Sequence, residues 1–302
     1  MIKLVFLGTS SGVPTRDRNL PSIFLMYNKE RLLFDCGEGT QRQLMNFRLK
    51  FMKIDRIFIS HWHADHFAGL LGLIQTMCLE GRKDPLYVYG PKESKKFVEQ
   101  LLTVGYYFRA FEVITKELKE GDKIDCGEYD IIPFRVEHNI PALGYVFREK
   151  DKETANMKKA AKYGLSTGPL IGKLKQGIPV NYKGKTIRPQ DIIEKKTGRK
   201  IVYTGDTRYT ENIIKFSKSA DVLIIDSTFS GDFVEKAGSF MHSTSKQAAE
   251  IAKKSSVKKL FLTHISRRYQ ESGMSAKKLE DEARKIFKNA TLAHDFLEYN
   301  VK

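Results

Sequence analysis

At 302 residues and 41% hydrophobic composition, the chain is long enough to bury a substantial core and too apolar to be disordered. Its formal net charge of +16 favours a polyanionic partner, nucleic acid or an anionic membrane surface, while no apolar run reaches the roughly 18 residues of a membrane-spanning helix. Three widely spaced cysteines, Cys36, Cys78 and Cys126, argue against a disulfide framework and suit a reducing, cytoplasmic setting.

The start of the chain is apolar but too short for a signal-peptide core, so residues 2–7 read as a first strand. Residues 22–27 and 31–34 read as further strands. Between the first two lies a polar loop, residues 8–19. Its glycines allow tight turns, and Arg16 and Arg18 can meet phosphate. Acidic and amide side chains then crowd a strand end at Asp35, Glu38, Gln41 and Gln43, a composition suited to supporting a neighbouring metal loop.

That loop is residues 60–66. His61, His63, Asp65 and His66 place three of the chain's seven histidines and a carboxylate within six positions. A strand-like run, 54–59, precedes them and an apolar helical run, 67–79, follows, so the cluster sits where side chains can converge. Imidazole and carboxylate together suit a divalent transition metal, zinc first, with manganese and iron left open. Residues 61 and 63 can point one way and 65 and 66 another, which suggests two metals side by side.

Residues 86–89 read as a strand and 91–103 as a helix with proline at an early position. Residues 129–136 alternate as a strand that ends just before His138. A lone histidine there is more often structural than a ligand. Between Arg148 and Lys200 the chain carries 15 Lys and Arg against 5 Asp and Glu, a net +10, with few long apolar runs. This reads as a basic arm, residues 150–200, outside the main core. Within it Thr154 is expected to cap a helix through Tyr163, Gly168-Pro169 to bend the chain, and residues 178–187 to form a hairpin around Lys183-Gly184.

Beyond the arm, strand 200–203 leads to Asp206, a carboxylate placed to bridge two metals. Strand 222–225 leads to Asp226. His242 precedes Thr244 and Gln247, which have capping-box spacing before an alanine-rich helix whose N-terminus favours an anionic phosphate. Strand 259–263 ends at His264. A helix from Ser275 shows Leu279, Ala283, Ile286 and Phe287 on one face, a core stripe. His294 reads as structural.

Three segments together, Gly8 to Asn19, Asp35 to Gln43 and Ser60 to Leu70, resemble the metallo-β-lactamase superfamily and, within it, the ribonuclease Z family. The resemblance rests on Pro14-Thr15-Arg16-Asp17-Arg18-Asn19, on Asp35-Cys36-Gly37-Glu38-Gly39-Thr40-Gln41 and on His61-x-His63-x-Asp65-His66, and it extends to about Leu297. Ala64 stands where that family often has glycine, Arg16 where it often has lysine, and Ile225-Asp226 where it often has His-Glu.

The resemblance implies an α/β fold, the αβ/βα metallo-β-lactamase sandwich with an inserted basic arm, as one domain over 1–302. It implies one metal on His61, His63 and His138, another on Asp65, His66 and His264, and Asp206 between them, with two zinc ions per subunit or manganese in their place. It implies an endonuclease that removes the 3′ trailer of precursor transfer RNA, leaving a 3′-hydroxyl on the transfer RNA and a 5′-phosphate on the trailer. Asp65 is expected as general base, and His242, oriented by Asp226, as the group facing the leaving oxygen. Arg16, Arg18, Asn19, Thr244, Gly168 and Pro169 are expected to meet the substrate, the last two within an arm that grips the transfer-RNA elbow. The family's short form is a homodimer whose arms serve each other's sites. Two other readings use the same residues: a dinuclear phosphodiesterase of small substrates, which needs no remote clamp, and a non-catalytic RNA-binding protein, which has no use for seven intact ligand positions.

Overall fold

The computed structural model describes residues 1–106, 109–271 and 274–302. Two seven-stranded sheets pack face to face. The first runs, in spatial order, Glu298–Val301, Ile2–Gly8, Ser22–Tyr27, Glu30–Phe34, Ile54–Phe58, Leu86–Gly90 and Val113–Glu117. The second runs Ala290–Leu292, Lys259–Thr263, Val222–Asp226, Lys200–Tyr203, Leu143–Glu149, Tyr129–Arg135 and Ile124–Asp125. The last strand of the chain returns to pair antiparallel with the first, Ile2 opposite Val301.

Alternation along the strands explains the three layers of core. Inward residues such as Phe6, Phe34, Phe58, Tyr145, Phe147 and Tyr203 fill the space between the sheets. Outward residues of the first sheet pack on helices Leu70–Leu79 and Ser94–Thr103. Those of the second pack on Ser245–Lys254 and Lys277–Ile286. The architecture is the αβ/βα metallo-β-lactamase sandwich. Among the described residues no helix is long and apolar enough to cross a membrane.

Strands 222–226 and 259–263 begin and end within a residue of their sequence-based bounds. The helical run 67–79 is broken. A short helix, Ala64–Phe67, is followed by a second, Leu70–Leu79. The break has a steric cause: a Cβ on Gly69 would stand 2.1 Å from the Gly37 carbonyl oxygen, so only glycine lets the two segments touch. Likewise Ser94 rather than Pro91 opens the next helix.

Residues 150–200 leave the second sheet after Glu149 and return at Lys200. Lys152–Ala155 pairs with Ile193–Lys196, and Val180–Tyr182 pairs with Lys185–Ile187 around Lys183-Gly184. Thr154 lies in the first of these strands and caps nothing; Asn156 caps the helix Met157–Lys162, its side chain accepting from the Lys158 and Lys159 amides. Asparagine and threonine are both good caps, and pairing of 152–155 with 193–196 decides between them. Gly168 and Pro169 start the helix Pro169–Lys175, proline at its first position. Ala160, Leu165, Ile171, Leu174, Val180, Ile187 and Ile192 form a separate small core.

The root of this arm is clamped by Glu149 and Arg199. Arg199 donates from Nε to Oε2 at 2.8 Å and from Nη2 to Oε1 at 3.0 Å, and its Nη1 donates to the Val301 carbonyl. Tyr27 of the first sheet donates to Glu149 Oε1 at 3.1 Å. Burial pushes the Glu149 carboxyl up, but the hydrogen bonds from Arg199 prevail and hold it at about 2. Glu149→Gln is therefore expected to lower unfolding free energy by about 1–3 kcal/mol near neutral pH. Because the folded-state pKa lies below the ordinary value, this contribution is present above about pH 4.5 and is lost as pH falls toward 2. Denaturant titrations of both proteins should converge over that range.

Candidate metal centre

Every residue singled out as a metal ligand follows the carboxyl end of a strand or opens the short helix after one. Strands Glu30–Phe34 and Ile54–Phe58 run parallel in one sheet, and Lys200–Tyr203, Val222–Asp226 and Lys259–Thr263 run parallel in the other. Their carboxyl ends meet at one edge of the sandwich. Asp35 and His264 both adopt left-handed backbone, φ 57° and 60°, which turns each chain sharply out of its strand.

Asp35 is fully buried and ties the edge together. Its Oδ1 accepts from the Ser60 amide at 2.6 Å. Its Oδ2 accepts from Ser60 Oγ at 2.8 Å, from His66 Nδ1 at 2.7 Å and from Tyr203 Oη at 2.5 Å. An ionised carboxylate only accepts, so His66 must donate from Nδ1 and turn Nε2 to the centre. His138 and His264 are oriented in the same manner. His138 Nδ1 lies 3.2 Å from the Met241 carbonyl, to which it can only donate. Thr228 Oγ1 donates to Asp226 Oδ1 at 2.6 Å and so accepts from His264 Nδ1 at 2.8 Å.

The result is three overlapping groups of donors that all include Asp206; Asp226, His242 and His264 complete one of them, and the other two are built from the expected ligands. His61, His63, His138 and Asp206 form one; Asp65, His66, His264 and Asp206 form the other; within each, the candidate ligand atoms lie within 4.8 Å of one another. In the first, His63 Nδ1 stands 3.0 Å from His61 Nε2 and 3.1 Å from His138 Nε2. In the second, Asp206 lies 3.2 Å from both His66 Nε2, through Oδ1, and His264 Nε2, through Oδ2. Asp65 Oδ2 is 3.5 Å from His66 Nε2 and accepts the Gly12 amide at 3.0 Å.

These residues fit divalent cations. His66 Nε2 and Asp206 Oδ1 are buried and face each other without a hydrogen bond, a costly arrangement that a shared cation relieves. Burial keeps His61 well below the ordinary imidazole value, with His66 acting the same way, and lowers His63 and His138, so these rings offer lone pairs. Burial opposes a charge on His66, but Asp206, Asp35 and Asp65 outweigh it. Three carboxylates thus draw positive charge to the position where a metal belongs.

Beside the two groups stands His242. Its Nδ1 is 2.7 Å from Asp226 Oδ2. Burial works against protonation, but Asp226 raises His242 to about 9. The Asp226 carboxylate also accepts from the Thr207 and Thr228 amides, so its oxygens are already engaged and it is poorly placed as a ligand.

The expected substrate contacts differ in exposure. Arg18 is buried, and its Nη1 donates to Thr9 Oγ1 and to the Ala293 carbonyl, both at 2.6 Å, which pins the loop to the C-terminal segment. Thr244 is buried too, its hydroxyl accepting from the Gln247 amide as the helix cap. Arg16 is exposed, and Asn19 donates from Nδ2 to the Glu38 carbonyl. Gly168 and Pro169 are exposed in the arm, away from the donor groups. His294 is exposed and outside both groups. Sequence reasoning assigned no role to Ser60, Tyr203, Thr228 or Met241. Only the Thr228 position, two residues past Asp226, carried a signal, because short hydroxyls often serve a nearby carboxylate.

Asp35→Asn retains shape but cannot accept from four donors. It is expected to weaken zinc affinity about 10- to 100-fold in a chelator competition and to lower the melting temperature. Gly69→Ala should destabilise by about 1–3 kcal/mol in denaturant titrations, through the clash with Gly37.

A family model described as Beta-lactamase superfamily domain matches residues 191–265, and one described as Anti-Pycsar protein Apyc1 matches residues 2–148. Ribonuclease Z of Methanosarcina acetivorans is 41% identical over 100% of this chain and 98% of its own length. Ribonuclease Z of Archaeoglobus fulgidus is 42% identical with the same coverage. Among solved structures, the short form of human tRNase Z superposes with a TM-score of 0.72 at 28% identity, covering 99% of each chain. With such relatives aligned along its whole length and both halves of the double donor group in place, the chain belongs to the ribonuclease Z family of the metallo-β-lactamase superfamily.

Proposed function

We propose that this chain is a metal-dependent endoribonuclease that cuts precursor transfer RNA on its 3′ side. It leaves a 3′-hydroxyl on the transfer RNA and a 5′-phosphate on the trailer. The observation that carries this reading is the pair of donor groups joined at Asp206 beside the His242–Asp226 pair, in a chain of this family. His61, His63 and His138 hold one ion, and Asp65, His66 and His264 the other. Both ions are zinc, which the nitrogen-rich donor set suits, and manganese is the alternative. When bound, two such ions acidify a water and stabilise the extra negative charge on phosphorus.

The chain's own residues do the rest. Asp65, fixed by the Gly12 amide, takes the proton from the attacking water. Asp226 holds His242 at Nδ1, so Nε2 is the atom that gives a proton to the departing 3′-oxygen. Asp35 and Thr228 keep His66 and His264 in the tautomer that presents Nε2.

The arm supplies affinity through backbone phosphates and reads shape rather than sequence. It leaves the sheet at Glu149, six residues along the strand from Leu143, whose amide bonds to Ser60 at the centre. At about 3.4 Å per residue the arm's root is roughly 20 Å from its own centre. An arm so placed grips substrate away from the chemistry, and the homodimer in which arms serve each other's sites belongs to the same reading. A cytoplasmic setting agrees with three free thiols. A small phosphodiester would use the same donors, yet it gives no role to a folded arm with its own core.

End-labelled precursor transfer RNA should be cut next to the discriminator nucleotide by the native protein. Asp65→Ala should abolish cutting, and a chelator should do so reversibly. Persistence of intact precursor with zinc, manganese or magnesium, alongside hydrolysis of a small phosphodiester, would overturn the assignment. Asp226→Asn should lower kcat about 10²- to 10⁴-fold with little change in KM, because it acts on proton transfer to the leaving group.

A further inference from the structure

The arm grips substrate far from the chemistry, so something nearer must seat the strand at the cut. A cleft of about 890 Å³ opens beside the first donor group, with His138 and Met241 in its wall. Leu118, Ile140 and Pro141 contribute apolar lining, and Lys92, Lys119, Arg135 and Arg208 bring positive charge. Its two acids are already engaged. Glu137 pairs with Arg208, and Glu120 accepts from the Arg135 amide and from Asn212. Lys92, Lys119 and Arg135 are exposed, and none of the three has an ion-pair partner among the described residues. The cleft thus combines unpaired positive charge with partly exposed apolar surface, which matches a phosphate–ribose chain.

Which stretch of RNA enters follows from Met241. Its left-handed backbone, φ 58°, directs its carbonyl to His138 and hands the chain on to His242. The departing 3′-oxygen at His242 belongs to the mature transfer RNA. A second cleft, of about 610 Å³ and lined by Arg16 and Arg42, begins two residues past Gly12, whose amide meets Asp65. The two clefts share no lining residue.

We infer that the cleft beside His138 binds the end of the transfer-RNA acceptor strand, the nucleotides 5′ of the cut, with their phosphates on Lys92, Lys119 and Arg135. This rests on the endonuclease reading for the identity of the RNA. The trailer is left to the Arg16–Arg42 side.

The test uses the full chain and an acceptor-stem hairpin that ends in a 3′-hydroxyl at the discriminator nucleotide and lacks the elbow. Lys92→Ala, Lys119→Ala and Arg135→Ala are combined, and a melting curve confirms that the variant folds; Lys119→Glu alone serves if it does not. Loss of about 10-fold or more in hairpin affinity is expected. The slope of log Kd against log salt should fall by about 2, near 0.7 unit for each of three lost single-strand phosphate contacts. Unchanged affinity and slope would overturn the inference. So would a defect seen only when a trailer is added to the hairpin, which would place the trailer in this cleft. The binding measurement needs no cleavage, so failure of the native protein to cut precursor would remove the endonuclease reading and still be distinguishable from failure of the cleft.

Discussion

The buried carboxylate of Asp35 is the interaction on which the rest of the centre depends. It accepts four hydrogen bonds from two separate pieces of chain: the loop that carries His61 to His66, twice through Ser60 and once through His66, and the second sheet through Tyr203. A carboxylate removed from water carries a large desolvation cost, which only several well-aligned donors can offset. Once those donors are in place, the same bonds fix the tautomer of His66 and the spacing of the two sheets at their shared edge. Backbone contacts reinforce the join. The Cys36 amide meets the His66 carbonyl and the Gly69 amide meets the Cys36 carbonyl, at 2.8 and 2.9 Å.

From that edge the chemistry follows by position. Each half of the chain contributes strands whose carboxyl ends carry polar residues, and neither half alone completes a donor group. His138, Asp206 and His264 come from the second sheet, and His61, His63, Asp65 and His66 from the first. Asp206 belongs to both groups. The centre is therefore a sensor of correct sandwich assembly, because a small slip between the sheets would separate donors that must lie within a few ångströms.

On the proposed function, substrate recognition is divided by distance. The folded arm, with its own core and a root tied by Glu149 and Arg199, is mechanically part of the second sheet yet roughly 20 Å from the centre of its own chain. The cleft beside His138 carries an excess of basic side chains, while the arginines of the second, Arg16, Arg18 and Arg42, are matched by Asp17, Glu38 and Asp295. Long-range electrostatic grip and local seating of the strand are thus assigned to different surfaces. Charge alone, spread over +16, does not separate them.

The sequence by itself determined the parts whose physics is local. Alternation and apolar runs set most strand bounds, and the packing of three histidines and an aspartate into residues 61–66 announced a metal loop before any fold was known. The capping box at Thr244 was equally legible, since it needs only residues 244 and 247. What the tertiary structure decided was which polar side chains remain available. Arg18 and Thr244 are both buried, the first donating to a carbonyl 275 positions away and the second capping its own helix. Thr154 lost its capping role to strand pairing with residue 194. Tyr203 and Met241 carried no local signal at all, because their roles exist only once Asp35 and His138 are brought beside them. Hydrogen-bond partners far apart in sequence are fixed by the packing of the sheets, and a periodicity of two or of 3.6 residues holds no record of them.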